Sequence, residues 1–261
     1  MTGTSALRGV AAAARFEAAT LRRSPDDLMA LLNAPLLAVM FLAITRHAHR
    51  GDLAGYAVLA PAVITVWAMG LLVSGEIIDQ ERWNGTLEAM LATPTPLQVV
   101  VLGRVAVVTA ISLLSIVESW LVARVGFGVA IAVPHPGIFA VTLLCTGLAM
   151  AGTATAMAGT FVLARSARTF QNSLSYPFYV LGGALVPVAL LPGWLQPACR
   201  VVFLSWATDL LRDALAPAAV PHLLPRLAAV LGLGVLGWLA GFAMLDRILD
   251  RVRRTGTLAH A

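Results

Sequence analysis

The stretch GEIIDQERWNGTLEAMLATPTP, Gly75 to Pro96, stands between two long apolar runs and holds four of the thirteen acidic residues of the chain. Its flanks decide the fold. Several runs exceed the ~18 apolar residues that mark a membrane-spanning helix, and the 261 residues are 59% hydrophobic and 12% charged, about half the charge usual in a soluble domain. In lipid a helix is favoured because it satisfies its own backbone polar groups, and the alternating pattern of a closed barrel is absent. The reading is an all-α membrane protein, with the quoted stretch as a polar insert between two spans.

Six spans follow from apolar length, near Leu28–Thr45, Gly55–Ile77, Leu97–Ala123, Gly137–Ala164, Ser173–Leu191 and Leu223–Leu245. Before them, residues 5–23 are too charged to cross a bilayer. Leu7, Val10, Ala14, Ala18 and Leu21 share one helical face, beside a stripe of Arg8, Arg15 and Arg22, the pattern of an interfacial helix on anionic headgroups. Arg15 and Glu17 interrupt this segment too early for a signal peptide. With the N-terminus in the cytoplasm, twelve arginines fall inside and six outside, so both termini and the insert are expected on the cytoplasmic side.

All eighteen basic residues are Arg. Without Lys the chain has no G-x-x-x-x-G-K-[ST] phosphate loop and no Schiff-base residue, so it is not expected to hydrolyse ATP by itself. No catalytic residue or metal site is expected. The five His residues fall in predicted loops or tails without an H-E-x-x-H pattern, and Cys145 and Cys199 lack metal-ligand spacing.

Two spans carry further detail. In the fourth, Gly147, Ala151 and Thr155, with Gly152, Ala156 and Thr160 beside them, let another helix approach closely, within the bundle or across a dimer. The fifth carries Pro177, Pro187 and the Gly182-Gly183 pair, and is expected to be kinked or broken. Breaks at membrane depth line cavities or lie under protein. Tyr176, Tyr179, Gly182, Gly183 and Pro187 are therefore the candidate substrate path, with the two tyrosines read equally as interfacial anchors or core aromatics. Residues 192–221 suit short helices that dip into the outer leaflet and return, with Asp209 supporting Asp213 or Arg212 by local pairing at an exposed helix position.

Within the insert, Gly85 can end the second span and Thr86 can cap a new helix, with Glu88 in its first turn. Pro94 and Pro96 stop that helix within two turns. Leu87, Met90 and Leu91, at i, i+3 and i+4, form an apolar ridge facing the cytoplasm, where a protein groove is its natural seat. Burial would contribute at most ~1.5 to 3 kcal/mol per side chain, so the surrounding charges Glu76, Asp79, Glu81, Arg82 and Glu88 must reinforce the contact; composition alone fits equally a solvated connector that caps two spans.

The run QERWNGTLEAMLATP, followed by Gly103-Arg104, resembles the signature of permease subunits of ABC-2 type transporters: an E-R-x-x-G-T-L-E core, a short amphipathic helix, Thr-Pro, and a basic residue after Gly early in the third span. LRRSPDDLMALLNAPLL, GGALVPVALLPGWLQP and ATDLLRDAL extend the likeness, while Pro61-Ala62 and Ser205-Trp206 depart from the usual Pro-Gly and Pro. The resemblance implies one domain over residues 1–261 with a six-helix fold like that of type V exporters. It makes residues 79–94 a coupling loop seated on a separate nucleotide-binding ATPase subunit. Glu81, Arg82, Gly85, Thr86, Leu87, Glu88, Met90, Leu91, Thr93 and Pro94 would form the contact, and Arg104 would pair with Glu81 or Glu88 or else snorkel. ATP and Mg would sit on the partner subunit, with none on this chain. A second permease half, the same or different, and the lipid bilayer complete the expected partners, with no nucleic acid. The implied role is export of an amphiphilic drug, natural product or lipid across the bacterial cytoplasmic membrane. Lipid-linked polysaccharide is an alternative cargo. An ion-gradient carrier using Glu118 and Arg104 is the rival class.

Overall fold

The computed structural model describes residues 3–23, 30–83, 97–163 and 167–255. The described residues are mostly helical and contain no strand. Helix α1, Gly3–Arg23, is followed by α2 (Asn33–His47), α3 (Ala54–Trp83), α4 (Leu97–Ser112) and α5 (Leu114–Leu121). After a loop come α6 (Pro136–Leu163), α7 (Ala167–Leu181), the short α8 (Gln196–Arg200), α9 (Phe203–Ala214) and α10 (Leu223–Thr255). Helix α3 is the hub, packing on α2, α4, α5, α6, α7 and α9. Its Trp67 is fully buried and stacks on Phe178 of α7, ring centroids 4.3 Å apart.

Among the described residues four helical segments are long and apolar enough to cross a membrane: Gly51–Leu71, Gln98–Gly126, Pro136–Thr160 and Leu223–Arg247. They coincide with the second, third, fourth and sixth spans expected from the sequence. The other two expected spans contain shorter helices. Helix α2 has 15 residues after a 3-10 turn at Ala30–Leu32, and α7 also has 15, against the ~20 needed for an upright span. Helix α7 starts earlier than expected and stops at the glycine pair, whereas Pro177 lies inside the helix without ending it. The chain leaves the helical course there because Gly183 has φ +67°, a conformation that L side chains rarely adopt.

The small-residue face of α6 is used within the chain. A Cβ on Gly152 would lie 2.2 Å from the Gly234 carbonyl oxygen, and one on Gly241 would lie 2.7 Å from the Ala156 nitrogen. Gly234, Gly237 and Gly241 of α10 thus meet Gly152, Thr155 and Ala156 backbone to backbone, the close approach that small residues permit in membranes. The packing reading of the fourth span is the one observed, and α10 supplies the matching glycines.

Helix α3 is 30 residues long, about 45 Å at 1.5 Å per residue, and exceeds a hydrocarbon core of about 30 Å. Its C-terminal turns carry Glu76, Asp79, Glu81 and Arg82. Helix α10, with 33 residues, is longer still.

Candidate functional site

At the end of the bundle where α4 begins, α1 lies against α4. Gly103 makes this possible, since a Cβ there would stand 2.6 Å from the Val10 carbonyl oxygen. The next residue supplies the polar anchor. Arg104 Nε donates to Glu17 Oε2 at 2.6 Å, with the two side chains 3% and 6% exposed, and the Phe16 ring lies 5.5 Å from the guanidinium carbon. A buried arginine in an apolar helix is expensive unless paired, and Glu17 is the one acid in SALRGVAAAARFEAATLRR. Sequence reasoning gave Arg104 to Glu81, Glu88 or snorkelling. The structure corrects the snorkelling alternative, because Arg104 is buried, and brings in Glu17, whose isolation in a basic amphipathic helix was the available signal. Nearby, Gln98 Nε2 donates to Asp246 Oδ1 and ties the start of α4 to the end of α10.

The opposite end of the bundle is organised around a second buried arginine. Arg212 of α9 has a side chain 7% exposed. Its Nη2 donates to the Gly183 carbonyl and, at 3.3 Å, to the Ala184 carbonyl, oxygens of the turn that follows the end of α7. The Tyr56 ring covers the guanidinium, 5.1 Å from carbon to centroid. Asp209 approaches Arg212 only to 3.9 Å, because it is engaged by Arg200 at 2.9 Å. Asp213 is engaged by Arg226 at 2.6 Å. Arg200 in turn lies over the Trp206 ring at 4.5 Å, and Trp206 Nε1 donates to the Arg200 carbonyl at 2.9 Å. The expected local pair of Asp209 with Arg212 at an exposed position is thus corrected: the arginine is buried and the aspartate's closer contact is elsewhere. At the rim, Arg50 and Asp52 form an exposed pair at 2.8 Å, and the hydrogen bond to Asp52 raises the Arg50 pKa.

Two cavities meet at this arginine. One of about 400 Å³ is bounded by Phe41, Ile44, Leu53, Ala60, Leu185 and Pro187, and the other of about 390 Å³ by residues that include Asp52, Gly55 and Ala216. Tyr56 and Arg212 stand in the wall of both. The structure therefore brings together part of the expected substrate path. Pro187 lines the first cavity and Gly183 holds Arg212, while Gly182 packs beneath, where a Cβ would lie 2.5 Å from Leu204 Cδ2. Tyr176 is 73% exposed and meets the half-buried Tyr179 edge-on at 6.1 Å. Neither tyrosine lines these two cavities. The two cysteines are free thiols, and no three His, Cys, Asp or Glu among the described residues group as metal ligands.

The family described as ABC-2 type transporter matches residues 13–216, from within α1 to just past α9. The chain belongs to the ABC-2 type transporter family. No curated protein matches the chain. As an ABC-2 membrane subunit it is a multi-pass permease, and members of this family generally work with a separate ABC ATPase subunit.

In this ABC-2 permease, Glu81 and Arg82 fall on the last turn of α3. Gly85, Thr86, Leu87, Glu88, Met90, Leu91, Thr93 and Pro94 lie outside the described residues. Their neighbours are in place nonetheless. Helix α3 ends at Trp83 just before the insert, and α4 begins at Leu97 just after it and carries the Gly103-Arg104 pair. That pair has a physical role here: the glycine admits α1 and the arginine fixes it.

Proposed function

We propose that this ABC-2 permease is the membrane half of an ATP-driven exporter that moves an amphiphilic molecule out across the bacterial cytoplasmic membrane. Six spans in the type V exporter arrangement, both termini in the cytoplasm, and a dimer of permease halves complete the proposal. Residues 79–94 form the coupling loop, seating Leu87, Met90 and Leu91 in a cleft of the nucleotide-binding subunit, with Glu81, Arg82 and Glu88 as flanking charges. ATP and Mg belong to that subunit.

The family match over residues 13–216 carries the reading. Three properties of the chain support it. It lacks Lys, so a phosphate loop must come from another chain. Helix α3, with 30 residues, is longer than the hydrocarbon core is thick and ends in Glu81 and Arg82 before the insert, which suits a loop reaching a soluble motor. The cavities at the other end are lined by aliphatic and aromatic groups around a single buried cation, suited to amphiphiles better than to highly charged polymers.

The test is transport-linked ATP hydrolysis by the assembled complex. Leu87→Asp or Leu91→Asp should abolish it while membrane insertion stays intact, and full coupling in either variant would overturn the ridge. The purified chain alone should hydrolyse no ATP. The ion-gradient carrier reading rests on Glu118, whose Oε2 is buried without a hydrogen-bond partner among the described residues. That reading requires transport without an ATPase subunit, lost on Glu118→Gln.

A further inference from the structure

The cluster around Arg212 is not balanced in charge. Arg200, Arg212 and Arg226 face only Asp209 and Asp213, each of which has its closest contact with one of the other two arginines. Asp52, on the wall of the second cavity, is held by Arg50. Arg212 Nε and Nη1 are buried and have no hydrogen-bond partner among the described residues, Nη1 having only the 3.9 Å approach of Asp209. Its Nη2 is spent on two neutral carbonyls, and its face on the Tyr56 ring. A guanidinium presents five N–H donors in a fork that fits carboxylate and phosphate oxygens. Arg212's nearest carboxylate, Asp209, stands 3.9 Å away and is shared with Arg200; a buried charge so loosely countered is costly in the low dielectric of a membrane protein, so the cluster favours an anion that can reach it.

We propose that Arg212 binds the anionic head of an amphiphile, a phosphate or carboxylate, whose aliphatic part occupies the adjoining cavity of about 400 Å³ between α2, α3 and the turn after α7. The volume falls within the roughly 300–1,000 Å³ of ligand pockets. Phe41, Ile44, Leu53, Ala57, Leu185 and Leu190 give this cavity an apolar wall, and Ile44 and Leu190 are exposed on the face that would meet lipid tails. The second cavity, on the other side of Tyr56, gives the head a route to water past Gly51 and Asp52. Arg212 Nε and Nη1 are closed to water in this conformation. Binding therefore displaces a neighbour, and Tyr56, 42% exposed and part of both cavity walls, is placed to turn aside. The inference rests on the export reading in one respect: it makes the occupant the cargo near its point of release.

The experiment is native mass spectrometry of the full chain in a neutral detergent, titrated separately with dodecyl phosphate, inorganic phosphate and dodecyltrimethylammonium. Dodecyl phosphate should bind one to one, at least about tenfold more tightly than either of the others, the scale of one charge-assisted hydrogen-bonded contact. Arg212→Gln keeps an amide donor for the Gly183 carbonyl while removing the charge, and should lose that preference. Ala60→Phe fills the apolar cavity without touching the arginine, and should weaken dodecyl phosphate while leaving inorganic phosphate unchanged. Equal binding of dodecyl phosphate and dodecyltrimethylammonium, undiminished binding to a folded Arg212→Gln chain, or inorganic phosphate binding as tightly as dodecyl phosphate would each overturn the proposal. No ATPase subunit is present in this assay. Lost binding alongside intact ATP-driven transport overturns the site alone, and retained binding without ATP-driven transport by the assembled complex overturns the export reading alone.

Discussion

Arg104 and Arg212 are both buried arginines in an apolar bundle, yet they are built differently. Arg104 faces a carboxylate at 2.6 Å on a helix that docks through a neighbouring glycine. Arg212 faces carbonyl oxygens and an aromatic ring, with its closest carboxylate at 3.9 Å. The first arrangement uses charge to hold two helices together and leaves little attraction for anything else. The second satisfies geometry at a helix break while leaving the charge only loosely compensated. Burial alone therefore does not distinguish a structural cation from a binding one; the position of the carboxylate does.

The largest effect that could break this contrast is at Glu17. Glu17→Ala removes the carboxylate from a buried pair and should destabilise the chain by about 3–5 kcal/mol, read as a lower unfolding temperature in detergent and faster proteolytic release of residues 3–23. The double replacement Glu17→Met with Arg104→Met should recover most of that loss, because matched apolar groups avoid the buried charge. A smaller loss, about 1–3 kcal/mol from overpacking, is expected for Gly103→Val, whose side chain must displace Val10 while the ion pair stays chemically intact. Proteolysis of α1 in this variant separates the glycine's role from the arginine's. At the other end, Asp209→Asn should lower stability by only about 1 kcal/mol, since Arg200 is 39% exposed and solvent screens the lost pair. The same change should tighten binding of dodecyl phosphate by leaving the cluster more positive. Last, Asp52→Asn should shift the unfolding temperature by no measurable amount, because both members of that pair are exposed.

The features readable from sequence were those written in local pattern. Apolar length located the four segments that meet the requirements for crossing a membrane. The Gly182-Gly183 pair marked where α7 breaks, and the small residues of α6 marked a close helix contact. What escaped depended on contacts remote in sequence. Glu17 and Arg104 are 87 residues apart, so no spacing rule joins them. Arg212 reads as part of a polar face in ATDLLRDAL, and its burial arises from the turn after α7 and the Tyr56 ring, which close over it. The second half of the α6 seam was likewise present as Gly234, Gly237 and Gly241, but a glycine pattern on one helix does not name its partner. The coupling residues from Gly85 to Pro94 fall outside the described residues, and their assignment rests on the motif and on the family.

The proposed coupling requires that Leu87, Met90 and Leu91 form an apolar ridge with its seat on another chain. A photo-activated cross-linker at Met90, in the complex during ATP-driven transport, tests this most directly. The expected product joins the permease to its nucleotide-binding subunit, and the yield changes between nucleotide-free and ATP-bound states. Capture of phospholipid or water alone, in a complex that is transporting, would contradict it.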